Sequence, residues 1–259
     1  MNEQSTFKIG EKEFSSRLLI GSGGYPSAAV WREALQESGA EIFTVSIRRV
    51  NLQHTQDTFL TQDLFERYQV LPNTSGCYTV RDAILTAELA REATGVNWIK
   101  LEILGDEKTL LPDPIATVQA AEKLVGLGFT VLPYCGDDPI LCKYLEEVGC
   151  AAVMPLAAPI GSGMGVRNPQ NIQLIRDMVS IPVIIDAGIG TASDAAIAIE
   201  LGCDAVLLNT AIADAQNPVL MARAFKLAIE AGYLARQAGR IPKVYHGRPS
   251  SPIEGTLFS

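Results

Sequence analysis

Residues 37–45 read ESGAEIFTV: the polar end of a helical pattern, a glycine, then an apolar run rich in β-branched residues. The phrase returns as ATGVNWIKL (93–101), GLGFTVLPY (126–134), EVGCAAVMP (147–155) and ELGCDAVLL (200–208). Gly39, Gly95, Gly128, Gly149 and Gly202 stand where a helix ends in a left-handed residue. The run after each glycine has the composition of a strand buried on both faces. Working outward, eight such strands are expected near 17–21, 42–47, 69–73, 97–103, 130–135, 151–156, 182–187 and 204–209. Helical patterns lie between them, as in SAAVWREALQES, TVRDAILTAELAREA, DPIATVQAAEKLVGL and PILCKYLEEV. Asp113-Pro114, Asp138-Pro139, Asn168-Pro169 and the Thr191/Asp194 capping box mark helix starts. Eight βα units in 259 residues predict a single (β/α)8 TIM barrel over residues 1–259, with a loosely held tail from about 240. The competing parse, a doubly wound open sheet, lacks its glycine fingerprint, because GSGGYPS (21–27) breaks G-x-G-x-x-G at the sixth position.

Composition narrows the function classes. The chain is 47% hydrophobic and 19% charged, as a packed protein should be. A formal net charge of −8 with no basic run argues against nucleic acid as a partner. The amino terminus has no secretory h-region, and no apolar run is long and charge-free enough to span a membrane. Cys77, Cys135, Cys142, Cys150 and Cys203 form no C-x-x-C pair and are odd in number. They read as reduced, buried thiols in a cytoplasmic protein, not as a disulfide framework or a zinc site. Only His54 and His246 are available as imidazoles, so a His-based metal site is not expected.

In this architecture chemistry sits at the C-terminal strand ends. The fourth strand, within NWIKLEILGD (97–106), places Ile99, Leu101 and Ile103 on one face and Trp98, Lys100 and Glu102 on the other. Lys100 and Glu102 then stand about 7 Å apart along the strand. Two readings are open: a neutralised ion pair, or a desolvated lysine kept partly neutral to attack a carbonyl. The seventh strand ends in IIDAGIG, where Asp186 is either a loop hydrogen-bonder or an acid/base group beside Lys100 and Glu102. Gly188 and Gly190, Asn209 and Thr210, and Gly161, Ser162 and Gly163 lie at neighbouring strand ends. Together they suggest a phosphate held by backbone N–H groups. Arg48 and Arg49 after the second strand either meet an anionic group or partner, or are solvated. Asp137 and Asp138 read as helix N-terminal charges. The residues alone therefore imply imine chemistry on a phosphorylated keto or aldehyde sugar, which a class I aldolase would fit equally well.

SGAEIFTVSIRRVN, LPNTSGCYT, NWIKLEILGD, CAAVMPLAAPIGSG, IPVIIDAGIGTASDAA and DAVLLNTAIA, spread from about residue 17 to about 240, carry a resemblance. The chain resembles the thiazole synthase family, which builds the thiazole ring of thiamine. The resemblance implies that 1-deoxy-D-xylulose 5-phosphate forms an imine with Lys100, and that the imine rearranges to move the carbonyl along the sugar. Sulfur would come from the C-terminal thiocarboxylate of the carrier protein ThiS, and dehydroglycine would condense to close the ring. It further implies acid/base roles for Glu102 and Asp186, and sugar-phosphate contacts from Gly161, Ala187, Gly188, Asn209 and Thr210. No cofactor is implied, and a homo-oligomer is expected. The family pattern GTGKY is replaced here by Gly21-Ser22-Gly23-Gly24-Tyr25, and MPLGSPIGSG carries Ala157 and Ala158. Two other readings stand beside this one: an aldolase-type lyase that needs no sulfur donor, and a silent barrel that binds a phosphorylated metabolite or a protein, with Lys100 a mere ion-pair lysine.

Overall fold

The structure is a computed structural model that describes residues 6–46 and 61–251. Its elements run β1 (Phe7–Ile9), β2 (Lys12–Phe14), β3 (Leu18–Gly21), α1 (Ala28–Ser38), β4 (Ile42–Ser46), α2 (Gln62–Arg67), β5 (Gln69–Asn73), α3 (Val80–Thr94), β6 (Trp98–Leu101) and α4 (Pro114–Gly126). They continue β7 (Thr130–Cys135), α5 (Pro139–Glu147), β8 (Met154–Pro155), α6 (Pro169–Met178), β9 (Ile184–Ile185), α7 (Ala192–Glu200), β10 (Ala205–Leu208), α8 (Thr210–Ala213) and α9 (Pro218–Ala238).

Eight strands pair in parallel in the order β8-β7-β6-β5-β4-β3-β10-β9. The two ends of that order meet through a parallel bridge between Val153 and Val183. Val153 N–H donates to Pro182 O (2.9 Å), Ile184 N–H to Val153 O (2.9 Å) and Asp186 N–H to Pro155 O (3.1 Å). The barrel is thereby closed. The strands expected over 151–156 and 182–187 shrink to two residues each. Pro155 and Pro182 supply only carbonyls, so the ladder at this seam is thin.

Local signals place the helices. Asp113, Asp138 and Asn168 cap α4, α5 and α6 just before a proline, and Thr191 and Asp194 form the capping box of α7. Asn217 before Pro218 does the same for α9. All five recurring glycines have positive φ. Gly39 and Gly95 are the C-caps themselves, whereas at Gly128, Gly149 and Gly202 the cap is the preceding residue and the glycine makes the left-handed turn one step later.

The interior of the barrel is filled by one residue or more from every strand: Leu19, Ile42, Leu71, Trp98, Leu132, Met154, Ile184 and Leu207, with Ala205. Phe7, Ile9 and Phe14 join this cluster from the β1–β2 hairpin, so the N-terminal segment plugs the barrel floor. Phe14 meets Trp98 edge-on at 5.9 Å. This hairpin was not expected from the sequence, although Phe7-Lys8-Ile9, Gly10 and Lys12-Glu13-Phe14 carry an alternation and a turn glycine. The outward strand residues, among them Ile99, Leu101 and Ile103, pack under the helices in a second cluster. Residues 240–251 are exposed and form no helix or strand. Among the described residues no helix is long and apolar enough to cross a membrane.

Candidate active site

Strand geometry converts the apolar interior into a polar mouth within one pleat. Side chains on one strand face recur every second residue. Two positions beyond Leu19, Ile42, Leu71, Trp98, Ile184 and Leu207 come Gly21, Thr44, Asn73, Lys100, Asp186 and Asn209. All six line one cavity of about 490 Å³ at the C-terminal strand ends. The same step from Leu132 and Met154 gives Tyr134 and Leu156, which form a small buried apolar cluster with Leu104 and the cavity-lining Ala187. Gly161, Ala187, Gly188, Glu102 and Thr210 line it as well, as do Gly163 and Gly190, whereas Ser162, also named for the phosphate from the sequence, does not. Arg48 and Arg49 lie outside the described residues.

Lys100 is the centre of the charge distribution. Its Nζ lies 2.8 Å from Asp186 Oδ2, and it is 7% exposed, against 8% for Asp186 and 6% for Glu102. Burial pushes the Lys100 ammonium down, but the negative charges of Asp186 and Glu102 and the hydrogen bond to Asp186 more than offset it. Of the two readings open for Lys100, the geometry shows the amine paired with Asp186, and the balance of these effects favours its charged form. Burial raises Glu102, against the pull of Lys100, and the charge of Asp186 raises it further. Burial likewise raises Asp186, partly offset by the Lys100 charge. One cation facing two enclosed carboxylates leaves an excess negative charge, and a shared proton relieves it. Tyr134 stands beside this cluster with its ring 5.8 Å from Nζ, and its hydroxyl donates to Leu110 O at 3.3 Å. Burial keeps that phenol far above its usual range, so it remains a neutral group.

Sequence reasoning missed the residue that holds this strand end. β6 leaves the ladder after Leu101, and Thr74 takes over. Its hydroxyl accepts from Glu102 N–H (2.7 Å) and donates to Glu102 O (2.8 Å), while Thr74 N–H donates to Lys100 O (3.1 Å). Thr74 is fully buried. The only available signal was its place immediately after the fifth strand, where LPNTSG also supplies Asn73 and Ser75 to the cavity wall.

The glycine turns are tightly specified. A Cβ at Gly188, where φ is +88°, would lie 2.3 Å from Ala158 N and 2.5 Å from Ala158 O. Gly165 N–H donates to Gly188 O (2.8 Å), and Ala157 N–H to Ala187 O (2.9 Å), so the loops after β8 and β9 are laced together. Ala157 and Ala158, the positions that depart from the family pattern, are part of this lacing. Gly190 N–H already donates to Asp194 Oδ2 (3.0 Å), which removes it from the groups able to meet an anion.

Residues 8–252 match the family described as thiazole biosynthesis protein ThiG. The chain belongs to the thiazole synthase family. A thiazole synthase of Geotalea uraniireducens is 56% identical over 250 residues, covering 96% of both chains. One of Methylobacterium sp. strain 4-46 is 58% identical over 245 residues, covering 94% of this chain and 91% of the relative. Among solved structures, the Amycolatopsis orientalis BexX/CysO complex matches with a TM-score of 0.82 at 34% identity, over 92% of this chain and 98% of that one. The family assigns the protein to the thiazole branch of thiamine biosynthesis as an enzyme, and implies a sulfur carrier partner. Among the described residues no three His, Cys, Asp or Glu side chains converge as a metal site. The five cysteines are buried and form no disulfide among the described residues.

Proposed function

We propose that the cavity binds 1-deoxy-D-xylulose 5-phosphate and that Lys100 forms an imine with its ketone carbon. The observation that carries this reading is the one amine that lines the cavity among the described residues, 2.8 Å from one buried carboxylate and flanked by another. The protonated lysine gives its proton to Asp186, whose raised pKa makes it a competent acceptor, and the free amine adds to the carbonyl. Loss of water from the carbinolamine yields the imine. Glu102 and Asp186 then move the protons that shift the carbonyl along the sugar. The backbone at Gly161, Ala187 and Gly188 and the side chains of Asn209 and Thr210 hold the phosphate on the opposite rim. Sulfur arrives from the thiocarboxylate of the carrier ThiS, dehydroglycine condenses, and the ring closes with loss of water to the thiazole phosphate carboxylate. A solved relative held in a complex, BexX with CysO, supports docking of a carrier protein. Buried thiols without disulfides suit a reducing cytoplasm, and a homo-oligomeric assembly completes the reading.

Borohydride trapping with the sugar phosphate, followed by peptide mass mapping, tests the core of this reading. The adduct is expected on Lys100. An adduct on another lysine, or none, removes Lys100 from this role. Lys100→Arg is expected to abolish trapping, because guanidinium stays protonated and cannot attack a carbonyl.

A further inference from the structure

The cavity wall made by β4 and β5 differs in chemistry from the rim that holds the phosphate in the reading above. It offers neutral polar side chains, Thr44, Ser46, Asn73 and Ser75, and the steps so far engage none of them. Asn73 is the ladder partner of Lys100 on the neighbouring strand, so the two enter the cavity at one level, their backbones about 4.8 Å apart. Its amide is fixed at both ends. Asn73 Nδ2 donates to Thr44 Oγ1 (3.1 Å), and Asn73 Oδ1 accepts from Ser75 N–H (3.2 Å). The Thr44 hydroxyl is thus an acceptor toward Asn73, and its own proton points elsewhere. Thr44 is only 5% exposed, and the space beside it is the cavity. Asn73 keeps a second N–H as well. The Ser75 hydroxyl hydrogen-bonds Glu102, which leaves Thr44 and Asn73 as the donors of this wall.

We infer that Thr44 and Asn73 are further catalytic residues: a donor pair that holds the sugar oxygen on the carbon next to the imine carbon as that oxygen turns from hydroxyl to carbonyl. This assignment rests on the imine at Lys100 proposed above. A carboxylate first takes the hydrogen of the neighbouring carbon as a proton. The electron pair of that bond forms C=C to the imine carbon, and the imine π pair returns to Nζ. The enol O–H then gives its proton to a carboxylate, C=O forms, and the C=C pair takes a proton at the former imine carbon. The rearrangement is internal, and no outside oxidant or reductant enters. Negative charge gathers on the oxygen in the second step, which is where fixed donors act. Neutral donors suit an oxygen that is charged only in passing. A permanent carboxylate in this place would meet the enclosed Glu102 and Asp186.

Borohydride trapping of the sugar phosphate in heavy water, followed by mass spectrometry of the adduct, tests the pair. Thr44→Val keeps the shape and removes the hydroxyl. The yield of imine should stay near wild type, while deuterium enters the trapped sugar at least about tenfold more slowly; removal of one such donor can cost up to about 10³. Thr44→Ser should restore the exchange. Asn73→Ala, in the half-buried part of the wall, should show the same split, and carries the test should circular dichroism show Thr44→Val unfolded. Imine trapped as in wild type with exchange unslowed in both variants overturns the donor pair alone. So does an imine yield that falls in step with exchange, or exchange that stays slow in Thr44→Ser. A wild type that traps no imine overturns the underlying reading and this assignment with it.

Discussion

Replacing Lys100 with methionine isolates the electrostatics of the site from its chemistry. Methionine retains an unbranched apolar stem but removes the cation that sits 2.8 Å from Asp186 and faces Glu102. Both carboxylates are more than nine-tenths buried and would be left without a counter-charge. Removing one partner of a buried pair costs about 3–5 kcal/mol. For 259 residues the unfolding entropy near 60 °C is about 0.5 kcal/mol/K, so 1 kcal/mol moves Tm by about 2 °C. Lys100→Met should therefore melt about 6–10 °C below wild type at pH 8. Acid should narrow the gap. Asp186 and Glu102 already have raised pKa values, and losing the lysine raises them further. A carboxyl raised in the folded state contributes stability below its unfolded pKa and loses it as pH rises through the folded value. The deficit should thus be small near pH 5 and full at pH 8. Lys100→Met/Asp186→Asn should recover most of the loss, giving a clear coupling energy in the double-mutant cycle. Thermal melts of the four proteins between pH 5 and pH 8 make the measurement. A Lys100→Met protein that melts with the wild type at pH 8, or a deficit that is the same at both pH values, would refute the reasoning about an enclosed, charge-imbalanced cluster.

Three further outcomes are expected. Gly188→Val should weaken sugar-phosphate binding more than it lowers Tm, since its Cβ would overlap the Ala158 backbone at a φ of +88° beside the cavity; titration calorimetry showing wild-type affinity would place the phosphate elsewhere. Thr74→Val keeps the shape but strips both bonds to the Glu102 peptide, so about 1–3 kcal/mol of stability and much of the imine isomerisation rate should go, while Thr74→Ser retains both; solvent-exchange rates on the trapped sugar at wild-type level in the valine variant would contradict this. Burial pushes the Cys150 and Cys203 thiols up to about 12, so iodoacetamide at pH 7.5 should leave them unmodified and thiazole formation intact; activity lost in step with alkylation of either would give a cysteine a part in sulfur transfer.

The parts of this protein that depend on near neighbours along the chain could be read from its residues. Helix ends were legible because a cap acts within three or four residues: Asp113, Asp138, Asn168 and the Thr191/Asp194 box each bond amides of their own first turn. Strands were legible where both faces are apolar, and the eightfold recurrence of strand and helix named the barrel. The pleat even carried part of the candidate site, because a residue two places past another must stand on the same face, which is how Lys100 followed Trp98, while Asp186 was legible as the polar end of an apolar strand. Other features depend on groups far apart in the chain and emerge only once it is folded. Thr74 replaces the ladder at Glu102 across 28 residues, and nothing local to either foretells it. The N-terminal hairpin became a floor plug only because the ring of Leu19, Trp98 and Leu207 leaves space that Phe7 and Phe14 fill. Above all, the electrostatic surroundings of Lys100 were not written in its own strand. Burial lowers the proton affinity of its amine, while the charges of Glu102 and of Asp186, 86 positions away along the chain and 2.8 Å away in space, raise it. Coulomb energy in a water-poor pocket depends on distance and dielectric, and both are set only once the barrel closes.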